Sequence, residues 1–151
     1  KKNNKFQVIC LRIPGVFTLD LSKNHPLIIN IVKRIRRDEN IHAYNINKKF
    51  NNVLDTNEII RFITMMLKKT KYKSGVYNFA ATHPIKFIKV LKLIKKIFKS
   101  KSQIIEHDSS KTSFIISNKK LTKNFNYKIS STEKIIKRCC KKLLKKGYVF
   151  T

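Results

Sequence analysis

Apolar residues change their spacing from one stretch of this chain to the next. Residues 6–13, FQVICLRI, are almost continuously apolar and stop at Pro14-Gly15, the pattern of a strand buried on both faces of a parallel sheet. From 26 to 37 the spacing becomes helical, with Leu27, Ile28, Ile31 and Ile35 on one face and Pro26 in the first turn. Residues 41–46 and 50–54 are short extended candidates. Asp55 or Thr56 then caps a helix reaching about Leu67, with Ile59, Phe62, Ile63 and Met66 on one side.

The second half repeats the alternation. GVYNF, residues 75–79, has the pattern of another buried strand. Pro84 opens a helix whose Phe87, Val90, Leu91, Ile94 and Phe98 make an apolar stripe opposite a row of lysines. Short strands are expected at 103–106 and 113–116, and a small helix at 119–123. In the last helix, Ser130 and Glu133 are expected to form a capping box, Ile136, Cys139, Cys140, Leu143 and Leu144 the core stripe, and Gly147 the stop. With no repeat and no Gly/Ser linker, 1–151 is expected to be a single α/β unit with at least two parallel strands.

A length of 151 residues, 42% of them hydrophobic, suits one domain with one core. The apolar runs are too short to span a bilayer, so no membrane partner is expected. The N-terminal lysines and apolar run lack an uninterrupted apolar region and a cleavage site, which argues against export. Three cysteines without a C-x-x-C fit a reducing compartment, and the cytoplasm is expected.

The formal charge of +27 raises a second class of function, a basic module for nucleic acid or another anionic surface. Composition argues against it. The chain has 29 Lys, 22 Ile and 14 Asn, residues whose codons are nearly all A and T, but only six Arg. The lysines are spread along the whole chain, and arginine is the better residue for bidentate phosphate contacts.

Motifs exclude more chemistry than they supply. The only glycines are Gly15, Gly75 and Gly147, so a dinucleotide cradle or a P-loop cannot form within the chain. Tyr44 and Lys48 have Tyr-x-x-x-Lys spacing, but the residues between them are poor helix formers and the match reads as chance. His25, His42, His83 and His107 lack ligand spacing, so no metal site is expected. His107-Asp108-Ser109 cannot form a triad relay as neighbours in an extended segment and reads as a solvated turn. Cys139-Cys140 reads as small apolar packing, with a reactive thiolate the alternative because Arg138, Lys141 and Lys142 surround it.

Several stretches taken in order resemble one family. CLRIPGVF is similar to its L-R-x-P-x-V-[YF]-G strand end. FNNVLDTNEIIRFI is similar to R-D-[FY]-[IV]-H-V-x-D-[LV]-A, with Asn52 at the histidine and Lys48 at the arginine. GVYNFAATHPIKFIKVLKLI resembles G-x-[YF]-N-[LI]-G-x-G and its helix, and FIISNKKLTKNFNYKISSTEKIIKR resembles the D-x-x-K-[AL]-x-x-x-L-G-[FWY] segment with its ensuing helix. The family is the extended short-chain dehydrogenase/reductases, NAD-dependent epimerase/dehydratases that act on nucleotide sugars, and the resemblance is to their C-terminal part. Thr18, Ala80, Thr82, Ser117 and Asn126 depart from the pattern.

The resemblance implies an α/β fold, the C-terminal portion of a Rossmann-like sheet plus a small substrate-binding subdomain. It implies that the strand ending at Pro14-Gly15 finds its partners, the glycine cradle and the catalytic Tyr-x-x-x-Lys upstream of Lys1, in an absent N-terminal half. The chain would then be the tail of a longer enzyme, a split or truncated product, or a remnant, inactive alone and with no catalytic residue of its own. Pro14, Gly15 and Val16 would shape the nicotinamide side of NAD or NADP, and Lys48, Asn52 and Lys111 would meet the nucleotide sugar. The implied partners are that sugar nucleotide, the N-terminal half or a substitute for it, and a second copy in a homodimer.

Overall fold

The computed structural model describes residues 6–18, 27–109 and 112–145. Strand β1 (Ile9–Arg12) pairs in parallel with β6 (Gly75–Asn78), Ile9 opposite Gly75 and Arg12 opposite Asn78. Strand β2 (Val16–Phe17) runs parallel to β5 (Leu54–Asp55), and β3 (Ile41–Tyr44) parallel to β8 (Ile104–His107). The remaining pair, β4 (Lys49–Phe50) with β7 (Ile85–Lys86), is antiparallel. Parallel partners need long crossovers, and helices fill them. Helices α1 (Leu27–Arg36) and α2 (Thr56–Leu67) lie between β1 and β6 in the chain, and α3 (Phe87–Phe98) between β3 and β8. Helices α4 (Lys119–Phe125) and α5 (Thr132–Lys145) follow. The expected α/β class with parallel strands is the one observed.

One apolar core runs through these elements. Helix α1 buries Ile28, Ile29, Ile31, Val32 and Ile35, and α3 buries Phe87, Val90, Leu91 and Ile94. Helix α3 packs against both α1 and α5. Beneath α2, Phe62 meets the rings of Phe79, Phe125 and Tyr127 at centroid distances of 5.1, 5.4 and 5.2 Å, a tilted and edge-on arrangement that suits ring quadrupoles.

Several local expectations are corrected. Residues 113–116 are not a strand. One buried side chain holds them instead: Asn51 donates to the Ile116 carbonyl (2.8 Å) and accepts from its N–H (3.0 Å), as a neighbouring strand would. The extended run expected at 50–54 is split between β4 and β5. The cap of α5 is Ser131, which accepts from Lys134 N–H, while Ser130 turns away to Glu58 and Glu133 pairs with Lys137. No Ser130–Glu133 box forms, because Ser130 is recruited by a buried carboxylate that sequence spacing does not reveal. Leu144 is exposed, and Ile135 takes its place in the core. Ile63 is also exposed, and the inward face of α2 carries Glu58 and Phe62. Pro26 and Gly147 lie outside the described residues.

Strand β1 departs most. Ile9 and Leu11 pack against the core, but Cys10 and Arg12 are exposed, and Val8 before them is 63% exposed. Among the described residues its only strand partner is β6. The run that reads as buried on both faces is covered here on one.

Candidate functional site

The turn after β3 builds the site. Asn45 adopts a left-handed φ of 53°, which asparagine tolerates better than most residues, and its carbonyl accepts from Lys48 N–H at 2.9 Å. The turn's carbonyls face α3: Lys48 accepts from Phe87 N–H (2.9 Å) and Ile46 from Ile88 N–H (2.8 Å). They satisfy two of the donors that every helix start leaves open. Lys48 is thereby fixed beside the first turn of α3.

Lys48 and Asn52 line one cavity of about 190 Å³. Its walls include Phe50 and Phe87, whose rings lie 5.2 Å apart, together with Tyr44, Phe114 and the hydroxyl-bearing Thr112 and Ser113. Asn52 is half-buried, and no hydrogen bond to its side chain is found among the described residues. The cavity thus offers flat apolar surfaces, an amide with open donors and acceptors, and an ammonium. These are groups for a planar ring, its polar edges and an anion. Lys111 lies outside the described residues.

Pro14 and Gly15, between β1 and β2, and Val16, the first residue of β2, are half-buried and do not line this cavity. The β2–β5 ladder ties them to it: Gly15 carbonyl accepts from Leu54 N–H at 3.2 Å, two residues beyond Asn52. Two asparagines that sequence reading passed over hold the surrounding backbone. Asn51 donates to Ala81 carbonyl at 2.9 Å in addition to its Ile116 pair. Asn118 accepts from Ala80 N–H (2.9 Å) and donates to Ala80 carbonyl (2.7 Å). Both are buried, and a buried asparagine that satisfies backbone groups on two segments has no spacing signature to betray it.

Below β5 lies a buried ionic cluster. Asp55 caps α2 by accepting from Glu58 N–H (3.0 Å), as expected, and also receives Arg138 Nε at 2.7 Å. Burial opposes ionisation of Glu58, but the Ser130 hydroxyl, Arg61 and Arg138 outweigh it and hold its carboxyl below the ordinary range. Burial and the nearby Glu58 charge push the Tyr127 phenol up to about 12. The reactive-thiolate alternative for the cysteine pair fails. Burial raises both thiols, Cys140 to about 12, and Asp55 raises Cys139 further.

Tyr44 and Lys48 sit on a strand and a turn rather than one helix face, in keeping with a chance match. His107 ends β8 rather than lying in a turn. Among the described residues no group of three or more His, Cys, Asp or Glu is placed to hold a metal ion, and no helix is long and apolar enough to cross a membrane.

No protein-family model matches the chain, and no curated protein matches it in sequence. Solved structures do match. The UDP-N-acetylglucosamine 4-epimerase of Bacillus cereus is similar with a TM-score of 0.74 and 16% identity, over 99% of this chain and 50% of that one. UDP-glucose 4-epimerase of Thermotoga maritima, solved with UDP-glucose, gives 0.71 and 16%, over 93% and 47%. The dTDP-glucose 4,6-dehydratase of Bacillus anthracis, solved with NAD, gives 0.66 and 16%, over 93% and 45%. The chain spans about half the length of these structures. At such identities the likeness is one of fold, the Rossmann-like α/β fold of the C-terminal half of extended short-chain dehydrogenase/reductases.

Proposed function

We propose that this chain is the substrate-side half of an NAD- or NADP-dependent nucleotide-sugar epimerase/dehydratase, acting with a complementary cofactor-binding half. The observation that carries the reading is the cavity that gathers Lys48 and the free Asn52 amide against Phe50 and Phe87. A nucleotide base would lie against the aromatic walls, and Lys48 would face the diphosphate as a point charge without arginine's bidentate fork. The similar structures from Bacillus cereus and Thermotoga maritima are 4-epimerases of UDP-sugars, which supports this choice of ligand class.

Bound dinucleotide would supply hydride acceptance and return. The glycine cradle for its pyrophosphate is assigned to the complementary half, because Gly15, Gly75 and Gly147 lack the close spacing such a loop needs. The part left to Pro14, Gly15 and Val16 is to shape one wall at the nicotinamide. No catalytic acid or base is assigned to this chain. Val8, Cys10 and Val76 on the open side of β1 and β6 are the surface against which the complementary half would pack.

Titration of the chain with UDP-glucose, dTDP-glucose and inorganic pyrophosphate, followed by amide chemical shifts, tests the ligand assignment. Saturable shifts at Asn52 and Phe50 with a nucleotide sugar, weakened about tenfold in Lys48→Ala, are expected. Equal binding of pyrophosphate, or shifts spread over the lysine-rich helices instead, would overturn it.

A further inference from the structure

Two histidines that are far apart in sequence meet on the exposed face of the β3–β8 pair. The parallel register sets His42 opposite Ile105 and Tyr44 opposite His107, so the two imidazoles are diagonal neighbours on the same side of the ladder. His42 Nδ1 lies 2.7 Å from His107 Nε2. The rings stack with centroids 5.0 Å apart, and the Tyr44 ring leans on His107 at 5.5 Å.

We propose that His42 and His107 form a two-imidazole site for a borderline transition-metal cation such as Zn²⁺, Ni²⁺ or Cu²⁺, with water completing the coordination. The distance carries the idea. Metal–nitrogen bonds of about 2.0–2.1 Å hold two ligating nitrogens roughly 2.9 Å apart at a right angle and about 3.3 Å apart at a tetrahedral one. The two nitrogens now share a hydrogen bond at 2.7 Å, a few tenths of an ångström closer than that range, so a metal would take the place of the shared proton and part the rings slightly. Neutral imidazole suits these metals, whereas Mg²⁺ and Ca²⁺ prefer oxygen.

The chain as a whole repels cations at +27, and of its eight acidic residues Asp108 adjoins His107 in sequence, whereas Glu106 lies on the opposite face of β8 beside Lys92 and Lys95. Both are exposed, and neither is in an ion pair among the described residues. A metal here would clip β3 to β8, two strands joined by a short ladder, with Tyr44 lying between the site and the cavity that holds Lys48. The site does not depend on the nucleotide-sugar reading.

The test is calorimetric titration of the chain with Zn²⁺, Ni²⁺ and Mg²⁺ at about pH 7.5 in a non-chelating buffer, in a Cys10→Ser background that removes the exposed thiol. One equivalent of Zn²⁺ or Ni²⁺ should bind with a dissociation constant below about 1 mM, with no binding of Mg²⁺. His42→Asn and His107→Asn should each weaken it at least about tenfold, while His83→Asn leaves it unchanged. On the unsubstituted pair, Cu²⁺ at substoichiometric amounts should broaden the amide signals of Ala43, Tyr44 and Glu106 first, a readout that needs no histidine variant. Absence of binding by Zn²⁺ and Ni²⁺ at about 1 mM, or binding that survives both substitutions together, would overturn the proposal.

Discussion

The side chain of Asn51 grips both polar groups of Ile116, accepting from its N–H at 3.0 Å and donating to its carbonyl at 2.8 Å. A third bond reaches Ala81 carbonyl, so one buried amide ties the 112–117 segment to the loop after β6. Because that segment supplies Thr112, Ser113 and Phe114 to the cavity that Lys48 also lines, Asn51 positions part of its wall.

Asn51→Leu should therefore destabilise the chain by about 1–3 kcal/mol, since three backbone groups lose a partner and the Ala81 bond among them is buried. Urea unfolding measures the loss. Asn51→Asp should also be costly, because a carboxylate accepts from Ile116 N–H but cannot donate to the two carbonyls.

Arg138 neutralises two buried carboxylates at once, Asp55 at 2.7 Å and Glu58 at 3.3 Å. Arg138→Ala should cost roughly 3 kcal/mol or more, and Arg138→Lys an intermediate amount because the guanidinium fork is lost. The Glu58 carboxyl is held below its ordinary value in the folded chain. Its contribution is complete above the unfolded value of about 4.3 and is lost as pH falls through the lower folded value. Stability should decline on the acid side of about pH 4.3, and Glu58→Gln should flatten that decline while lowering stability at neutral pH. Thermal melts from about pH 3 to 7 provide the comparison.

Helix α3 begins with Lys86 at the capping position, extended at φ −55° and ψ 139°, and its side chain makes no capping bond. A cation there also opposes the positive end of the helix dipole. Lys86→Asp should accept from Lys89 N–H and reverse the charge, raising stability by about 0.5–1.5 kcal/mol by urea unfolding. No gain would mean that the turn carbonyls of Ile46 and Lys48 already do the whole of the capping.

The open side of β1 and β6 exposes Phe6, Val8 and Val76 at 94%, 63% and 42% beside a strand with one partner among the described residues. Such an edge and face invite association. The chain by itself should sediment as a concentration-dependent mixture at micromolar levels, and Val8→Lys with Val76→Lys should shift it toward monomer. A strictly monomeric chain over that range would remove the argument that this face needs a partner.

The helices and the four-residue strands β1, β3, β6 and β8 were legible in the order of residues alone, whereas the two-residue strands β2 and β7 were not, because amphipathic spacing and a capping aspartate are local properties of consecutive positions and two-residue pairings are not. Leu27–Arg36, Thr56–Leu67 and Phe87–Phe98 all fall close to the bounds of their apolar periodicity. Lys48 and Asn52 are close in sequence, and the fold brings them to the wall of one cavity. Packing alone settled where long-range polar groups find partners. Ser130 leaves a capping box for Glu58, Asn51 replaces a strand, and His42 meets His107, 65 residues away in the chain, across a parallel ladder. Hydrogen bonds and imidazole contacts depend on atoms a few ångströms apart in space, and spacing along the chain carries no record of that until the helices have packed and set the register.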